Sequence, residues 1–415
     1  MLTKKARLLP LLLLPATLFA QNMSSPYSIY GIGDIDHRYY NANSGMGYTG
    51  LALKTGLFGN GNNPASATGL DKSFFMVDVN TAGRSVTYAG DAIDAENRAN
   101  QDFAIKRLAL AVKLNSFWAS GIGMRQFSKV NYSFQSTKTV EGTGSKLLIN
   151  YSGDGGLNEY YWNNAFSIGR HFSVGINTSF IAGPINQTET ITDDVNTFAS
   201  TRRDYYANGR LEYGMIYSGS LSKKWNLSIG GRYARQTTMN YERSLTVTQN
   251  TTTTLVDNEF VKYAGFQLPR SYGAGIALTT KNGTRTIAAD YSASDWAGLD
   301  VKGSGWKLVN SSRISTGMEF ASFTNAFNRN VQKKSFQLGA FLDNSYLAVN
   351  GHQIMEWGVT TGLARTLKSG LVIGGSVEGG IRGTTQAGLI RENYFQFNLN
   401  FSYRDFIFSK GRKYN

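Results

Sequence analysis

Three histidines, His37, His171 and His352, are the obvious candidates for acid–base work in this 415-residue chain, and none has a partner at a catalytic spacing. No HExxH pair, no GxSxG turn and no His/Asp cluster of metal-ligand type occurs. There is no cysteine, which excludes disulfides, thiolate metal sites and cysteine nucleophiles. Residues 31–34, GIGD, are a fragment of a glycine-rich loop, but no lysine follows at the spacing that cradles a phosphate, so a turn is expected. We therefore expect no enzyme, no catalytic residues, no cofactor and no metal. What remains is a set of charges on the polar side of strand-like runs: Arg107, Arg125, Arg232, Asp290, Glu378 and Arg404. Facing charges of mixed sign can brace a wall or hold an inserted segment. They can also recognise the head group of a ligand. The sequence leaves both open.

Those runs are the elements that must position the charges. The clearest is 394–408, YFQFNLNFSYRDFIF, where Phe395, Phe397, Leu399, Phe401 and Tyr403 alternate with Gln396, Asn398, Asn400, Ser402 and Arg404. A period of two puts the two sets on opposite faces of a strand. The same alternation runs through 173–180, 225–233 and 371–382. Along the chain it predicts fourteen strands, at 74–89, 103–114, 119–134, 159–169, 172–182, 206–221, 225–242, 271–280, 284–294, 312–323, 334–343, 353–366, 371–382 and 393–408. The apolar faces could meet a core in a soluble sandwich or lipid around a membrane barrel. Connection lengths discriminate. They alternate between long (90–102, 135–158, 183–205, 243–270, 295–311, 344–352, 383–392) and short (115–118, 170–171, 222–224, 281–283, 367–370), with 324–333 a longer member of the short set. Short periplasmic turns and long extracellular loops are the pattern of an outer-membrane barrel. The 46 Gly, 13% aromatic residues and only 6 Pro suit a large antiparallel sheet with many tight turns. The expected fold class is all-β, a transmembrane antiparallel β-barrel of about 14 strands over residues 73–409.

The ends of the chain set the compartment. Residues 1–20, MLTKKARLLPLLLLPATLFA, have the basic start and apolar core of a cleaved signal peptide. The apolar stretch is short of the ~20 residues that span a bilayer, and Pro10 and Pro15 interrupt it, which argues against an anchor. The net charge of +14 falls to +11 without the three cations of that segment. In an exported protein its expected counterparts are outer-membrane lipid and lipopolysaccharide rather than nucleic acid. Residues 21–72 are too long for a turn and too irregular for strands. A barrel of this size has a lumen that wall side chains alone do not fill, so 21–72 is expected to fold inside it as a plug or hatch. Asn62, Asn63, Pro64 and Ala65 form the hatch motif, with Pro64 fixing a bend and biasing Asn63 away from helix. A disordered leader is the alternative, against which Tyr27, Tyr30, Tyr39, Tyr40 and Tyr48 argue. An even strand number places the N-terminal segment and the basic tail 410–415 on the periplasmic side. The pairs Gly230–Gly231, Gly374–Gly375 and Gly379–Gly380 are either bulges and points of close approach or ordinary small lumen residues.

These segments also carry a family resemblance. NSGMGYTGLAL (43–53), NNPAS (62–66), GDGGLNEYYW (153–162) followed by SIGRHFSVGINTSFIAG (167–183), and ENYFQFNLNFSYRDFIF (392–408) resemble, in that order, the FadL/TodX family of outer-membrane transport proteins. Within it the likeness is to the divergent branch of Bacteroidetes-type bacteria. The resemblance implies a fourteen-stranded barrel with an N-terminal hatch, and passive uptake of a hydrophobic small-molecule ligand that leaves sideways into the bilayer through a kinked strand. The alternative is a non-transporting barrel that joins other outer-membrane proteins in a larger complex, for protein secretion or outer-membrane protein assembly. Loops 183–205 and 243–270 are polar and β-prone, which leans towards protein contacts or plain surface exposure. Uptake demands a continuous apolar cavity from loops to hatch. A subunit calls for a sealed lumen and an apolar or aromatic patch on the outer wall.

Overall fold

In the computed structural model of the protein, the described residues are 25–41, 43–56, 59–71, 74–90, 98–139, 146–193, 196–250, 253–326, 329–367 and 370–406. The expected signal peptide 1–20 and the tail 410–415 lie outside them. Fourteen antiparallel strands form the barrel: β1 (Phe74–Ala89), β2 (Ala99–Lys113), β3 (Trp118–Gln126), β4 (Asn158–Ile168), β5 (Phe172–Thr192), β6 (Thr197–Ser220), β7 (Trp225–Ala234), β8 (Ser271–Thr280), β9 (Arg285–Ser294), β10 (Ser311–Ala326), β11 (Arg329–Val349), β12 (His352–Thr366), β13 (Leu371–Arg382) and β14 (Arg391–Phe406). Each pairs with its neighbour in sequence, and β1 closes the ring on β14, from Phe74 opposite Phe406 to Ala89 opposite Arg391.

The alternation in the sequence becomes an inside and an outside. On β14, Phe395 and Phe397 are 54% and 41% exposed, while Gln396 and Asn398 between them are buried. Ile105, Trp162, Met215, Val359 and Leu363 stand out from the wall in the same way. An apolar exterior around a polar interior inverts a soluble sandwich and matches a wall that faces lipid.

The structure departs from the expected strands where the chain leaves the ring. The expected strand 119–134 stops at Gln126, and Ser128–Thr139 forms a separate hairpin with Lys146–Gly155. Likewise 225–242 stops at Ala234, and Thr237–Gln249 pairs with Thr253–Leu268. Alternation persists through both bends, so periodicity cannot reveal a change of partner. The expected long connection 183–205 is the far end of β5 and β6, paired as far as Thr192 opposite Thr197. The expected connection 344–352 is a tight turn: Asn350 and Gly351 have φ of 49° and 81°, the two positive values of a type I′ hairpin turn. The expected connection 324–333 is mostly strand, since β10 and β11 run to Ala326 and from Arg329.

The main apolar core lies at the end of the barrel that carries the long connections. Tyr27 and Ile32 of the N-terminal segment are buried there with Phe127, Val130, Leu157 and Tyr206. Trp296, Leu308, Tyr346, Leu347 and Leu389 belong to the same cluster. At about 1.5–3 kcal/mol for each fully buried large apolar side chain, this roof is a substantial share of the molecule's hydrophobic stabilisation.

Candidate functional site: the occupied lumen

The N-terminal segment runs the length of the lumen. It begins at the long-connection end, where Ser25 caps the short 3-10 turn Pro26–Ile29 and its hydroxyl donates to Glu392 on β14. The Tyr27 hydroxyl donates to the Ile390 carbonyl at 2.6 Å. Burial pushes that hydroxyl's pKa up to about 12, so it stays a donor. Asp34–Ile35 adds two residues of strand to Ser128–Lys129, and Arg382 donates to Asp34 at 2.8 Å. The segment reaches β1 at the opposite end. The N-terminal segment was expected on the periplasmic, short-turn side. Only its last residues are at that end; its first described residues lie across the barrel.

Arg38 is the densest node. Its guanidinium pairs with Glu356 and, at 2.8 Å, with Glu378, and it donates to the Tyr394 hydroxyl at 3.1 Å. The Tyr48 hydroxyl donates to the other oxygen of Glu378 at 2.6 Å and accepts from Gln396 and Asn398. Nearby, burial alone would raise the Asp36 carboxyl, but Lys106, at 3.5 Å, and Arg38 outweigh it and hold the group below the usual carboxylate range.

The hatch motif is the second node. Asn63 sits at the N-cap of the 3-10 turn Pro64–Gly69, with its side-chain oxygen accepting from Ala65 N at 3.0 Å. Pro64 suits the first helical position because it has no N–H to satisfy. The Asn63 amide group donates to the carbonyls of Leu51, Met215 and Gly231 at 2.8, 3.0 and 3.1 Å, the last two on the barrel wall. Asn62 donates to the Tyr48 carbonyl at 2.7 Å, and Asn163 of β4 donates to the Pro64 carbonyl at 3.1 Å. Ala65 is fully buried. The wall meets the segment with glycine where backbones touch. A Cβ on Gly214 would lie 2.1 Å from Asn63 Oδ1, and one on Gly339 would lie 2.2 Å from the Met46 carbonyl carbon. Of the three glycine pairs, Gly230 is such a contact, 2.0 Å from the Leu51 carbonyl oxygen, whereas Gly379 meets nothing. The register shifts of the barrel ladders fall elsewhere, at Asn80/Thr81, Ser322/Phe323 and Asn344/Ala348.

All six charges singled out in the sequence reach this segment. Arg107 pairs with Asp78 at 3.7 Å and donates to the Gly59 and Tyr40 carbonyls. Arg125 pairs with Glu159 at 2.5 Å and lies 4.6 Å over the Tyr39 ring. Arg232 donates to the Asn62 carbonyl at 3.3 Å. Asp290 accepts from the Gly50 and Leu51 amides at 2.6 and 2.9 Å. Glu378 holds Arg38 and Tyr48, and Arg404 donates to the Gly56 carbonyl at 2.7 Å. Sequence reasoning missed Arg38, Glu356 and the Arg313–Asp343 pair at 3.0 Å. Glu356 shares the polar positions of β12 with Gly358 and Thr360, a signal that was there to read. Of the histidines, His37 lines the lumen cavity that Arg125, Arg210, Arg232 and Arg313 share. His171 shares a hydrogen bond with the Ser218 carbonyl at 2.8 Å, and His352 is exposed.

Between segment and wall the described residues leave cavities of about 50, 90 and 300 Å³, the first adjoining the second at Tyr39 and Glu212 and the third at Gly59 and Asn60. The two larger ones are lined mainly by polar side chains, such as Arg210, Arg232 and Arg313 in one and Asn41, Ser218 and Glu319 in the other. An apolar concavity of about 900 Å³ lies on the outer wall, lined by Leu108, Leu110, Ile122, Tyr160, Trp162 and Phe180.

Fold and site together define a fourteen-stranded barrel of the membrane-spanning type, with described residues of its N-terminal segment hydrogen-bonded to the wall. A family model described as BamG matches residues 2–415, nearly the whole sequence, and the chain belongs to that family. Solved structures similar in fold include the CymD monoaromatic hydrocarbon channel (13% identity, 91% of this chain and 99% of that one, TM-score 0.56). A FadL homologue from Pseudomonas aeruginosa is similar over 91% of this chain and all of its own (12% identity, TM-score 0.58). The toluene transporter TodX of P. putida is similar over 89% and 98% (13% identity, TM-score 0.58). The FadL/TodX resemblance is therefore one of architecture. No curated protein matches the chain.

Proposed function

We propose that this protein is an outer-membrane barrel without transport or catalytic activity, serving as a subunit of a larger outer-membrane complex for protein secretion or outer-membrane protein assembly. The observation that carries this reading is the lumen. A segment hydrogen-bonded to the wall lies along it from roof to short-turn end, and of the cavities of about 50, 90 and 300 Å³ left between the described residues the two larger are lined mainly by polar side chains. A greasy ligand would have to break the Asn63 and Arg38 nodes to pass. The apolar concavity is on the outside, where a contact patch for another membrane protein belongs. The family match, to BamG, leaves this reading open. With it go a cleaved signal peptide, contacts with outer-membrane lipid and lipopolysaccharide, and a place in the Bacteroidetes-type branch. Passive uptake of hydrophobic small molecules is the second reading, favoured by the shared architecture with hydrocarbon channels.

The test is the native mass of the tagged protein, extracted in mild detergent at its normal expression level. A stable assembly with other outer-membrane proteins supports the subunit reading. A mass of one chain carrying lipid-like ligand adducts overturns it in favour of uptake.

A further inference from the structure

One of the lumen cavities is built from donors. It measures about 90 Å³ and lies between Tyr39 and Asn62 of the N-terminal segment and the wall. Four guanidinium groups line it, those of Arg125, Arg210, Arg232 and Arg313, against the carboxylates of Asp36, Glu212 and Asp343. Most of these charges are already engaged. Arg313 donates to Asp343 at 3.0 Å, Arg125 to Glu159 at 2.5 Å, and Asp36 faces Lys106 at 3.5 Å. Arg210 has no carboxylate at ion-pair distance among the described residues, and the one carboxylate near Arg232 makes a long ion pair without a hydrogen bond. Among the described residues Arg210 donates only to neutral oxygens, the Pro269 carbonyl and the Ser271 hydroxyl, both at 3.1 Å. Arg232 donates to the Asn62 carbonyl, and Glu212 stands 3.9 Å from its Nε, beyond hydrogen-bond range.

Three buried donors at this cavity have no hydrogen-bond partner among the described residues: Arg210 Nε, Arg232 Nε and Trp296 Nε1. Trp296 is 3% exposed. Buried polar atoms are costly to leave unmet, so something in the cavity accepts from them. Water offers donors and acceptors equally. A set of orphans made only of donors, two of them on guanidinium groups without a bonded carboxylate, calls for an acceptor that carries negative charge. The space exceeds what a single water needs. Hydroxyls of Ser292 and Ser311 also line it.

We propose that this cavity binds one small oxyanion of the phosphate type, held by Arg210, Arg232 and Trp296, which ties Asn62 of the N-terminal segment to the wall. This goes beyond the subunit reading and does not depend on it. The same chemistry has two sources, free inorganic phosphate and the phosphate of a lipid head group.

The experiment is a calorimetric titration of sodium phosphate into the full-length protein, purified in nonionic detergent and exchanged into phosphate-free buffer. Saturable one-site binding is expected. Arg210→Gln and Arg232→Gln should each weaken it by about tenfold or more, the scale of one lost charge-assisted hydrogen bond. Trp296→Phe removes one donor and keeps a ring, and it should weaken binding by roughly fivefold. Arg285→Gln, at the exposed short-turn end, should change nothing. If an arginine variant loses the heat-modifiable mobility of a folded barrel, Trp296→Phe decides. No saturable binding to the wild type, or binding indifferent to these three changes, overturns the proposal and leaves the cavity to water. Native mass spectra before the exchange separate the sources. A phospholipid adduct that inorganic phosphate displaces assigns the site to a head group, and a bare phosphate adduct assigns it to the free ion.

Discussion

The hatch motif makes a quantitative demand. Asn63→Ala removes a buried amide group that donates to Leu51, Met215 and Gly231, and a side-chain oxygen that caps the turn Pro64–Gly69. One hydrogen bond contributes about 0.5–1.5 kcal/mol net, and loss of an N-cap costs about 1 kcal/mol. The three donated bonds share one amide and are not independent, so the docking of residues 50–70 should weaken by about 2–4 kcal/mol. That is about 30- to 1,000-fold in the docking equilibrium. Hydrogen exchange reads it directly. The amides of Thr55, Ser66 and Leu70, bonded to Ser66 O, Asn63 O and Ala67 O, should lose protection by that factor. Amides in the middle of β11 and β12 should keep theirs, because the ladder between them is untouched. Asn63→Asp tests the donors from the other side. It keeps the cap acceptor but sets a buried carboxylate oxygen against three carbonyls, so it should lose at least as much protection as Asn63→Ala. The reasoning is refuted if Thr55, Ser66 and Leu70 stay within twofold of wild type, or if barrel and segment lose protection together.

Other consequences can be checked alongside it. Arg38→Met strands Glu356 and Glu378 in the lumen and should destabilise the protein by about 3–5 kcal/mol in thermal or denaturant melts, with much of the loss restored by adding Glu356→Gln and Glu378→Gln. Gly339→Val drives side-chain atoms into the Met46 carbonyl and should eject the turn Ser44–Met46 while the barrel closes, seen as protease cleavage confined to the N-terminal segment. Asp36 titrates lower when folded than unfolded, so its contribution is complete above the usual carboxylate range and is lost as the pH falls through it. The stability gap between wild type and Asp36→Asn should accordingly narrow below about pH 4. Gly209 faces open space on the outer groove, where a Cβ would meet only the Ser179 carbonyl oxygen at 3.7 Å. Gly209→Trp should therefore fill the groove without unfolding the barrel and should abolish co-purification of partner proteins, measured by native mass.

Much of this molecule was legible in the sequence, because a strand's two faces are a local property. The alternation of Phe395, Phe397 and Leu399 with Gln396, Asn398 and Asn400 required a two-faced strand wherever it lay, and the repeated pattern placed β1, β8 and β13 to within a residue. The run Asn62–Ala65 was marked as a fixed bend by Pro64 alone. Other features depended on partners far away in sequence. The bends at Phe127 and after Ala234 leave the alternation unbroken, and only the position of the neighbouring strand decides whether the chain stays in the ring. Nothing local to Arg38 reveals that Glu356 and Glu378, more than three hundred residues on, converge on it. Nor does a polar or apolar face declare its direction. Closure of β1 on β14 turned the greasy side outward and enclosed the polar side, and that curvature belongs to the whole sheet rather than to any strand in it.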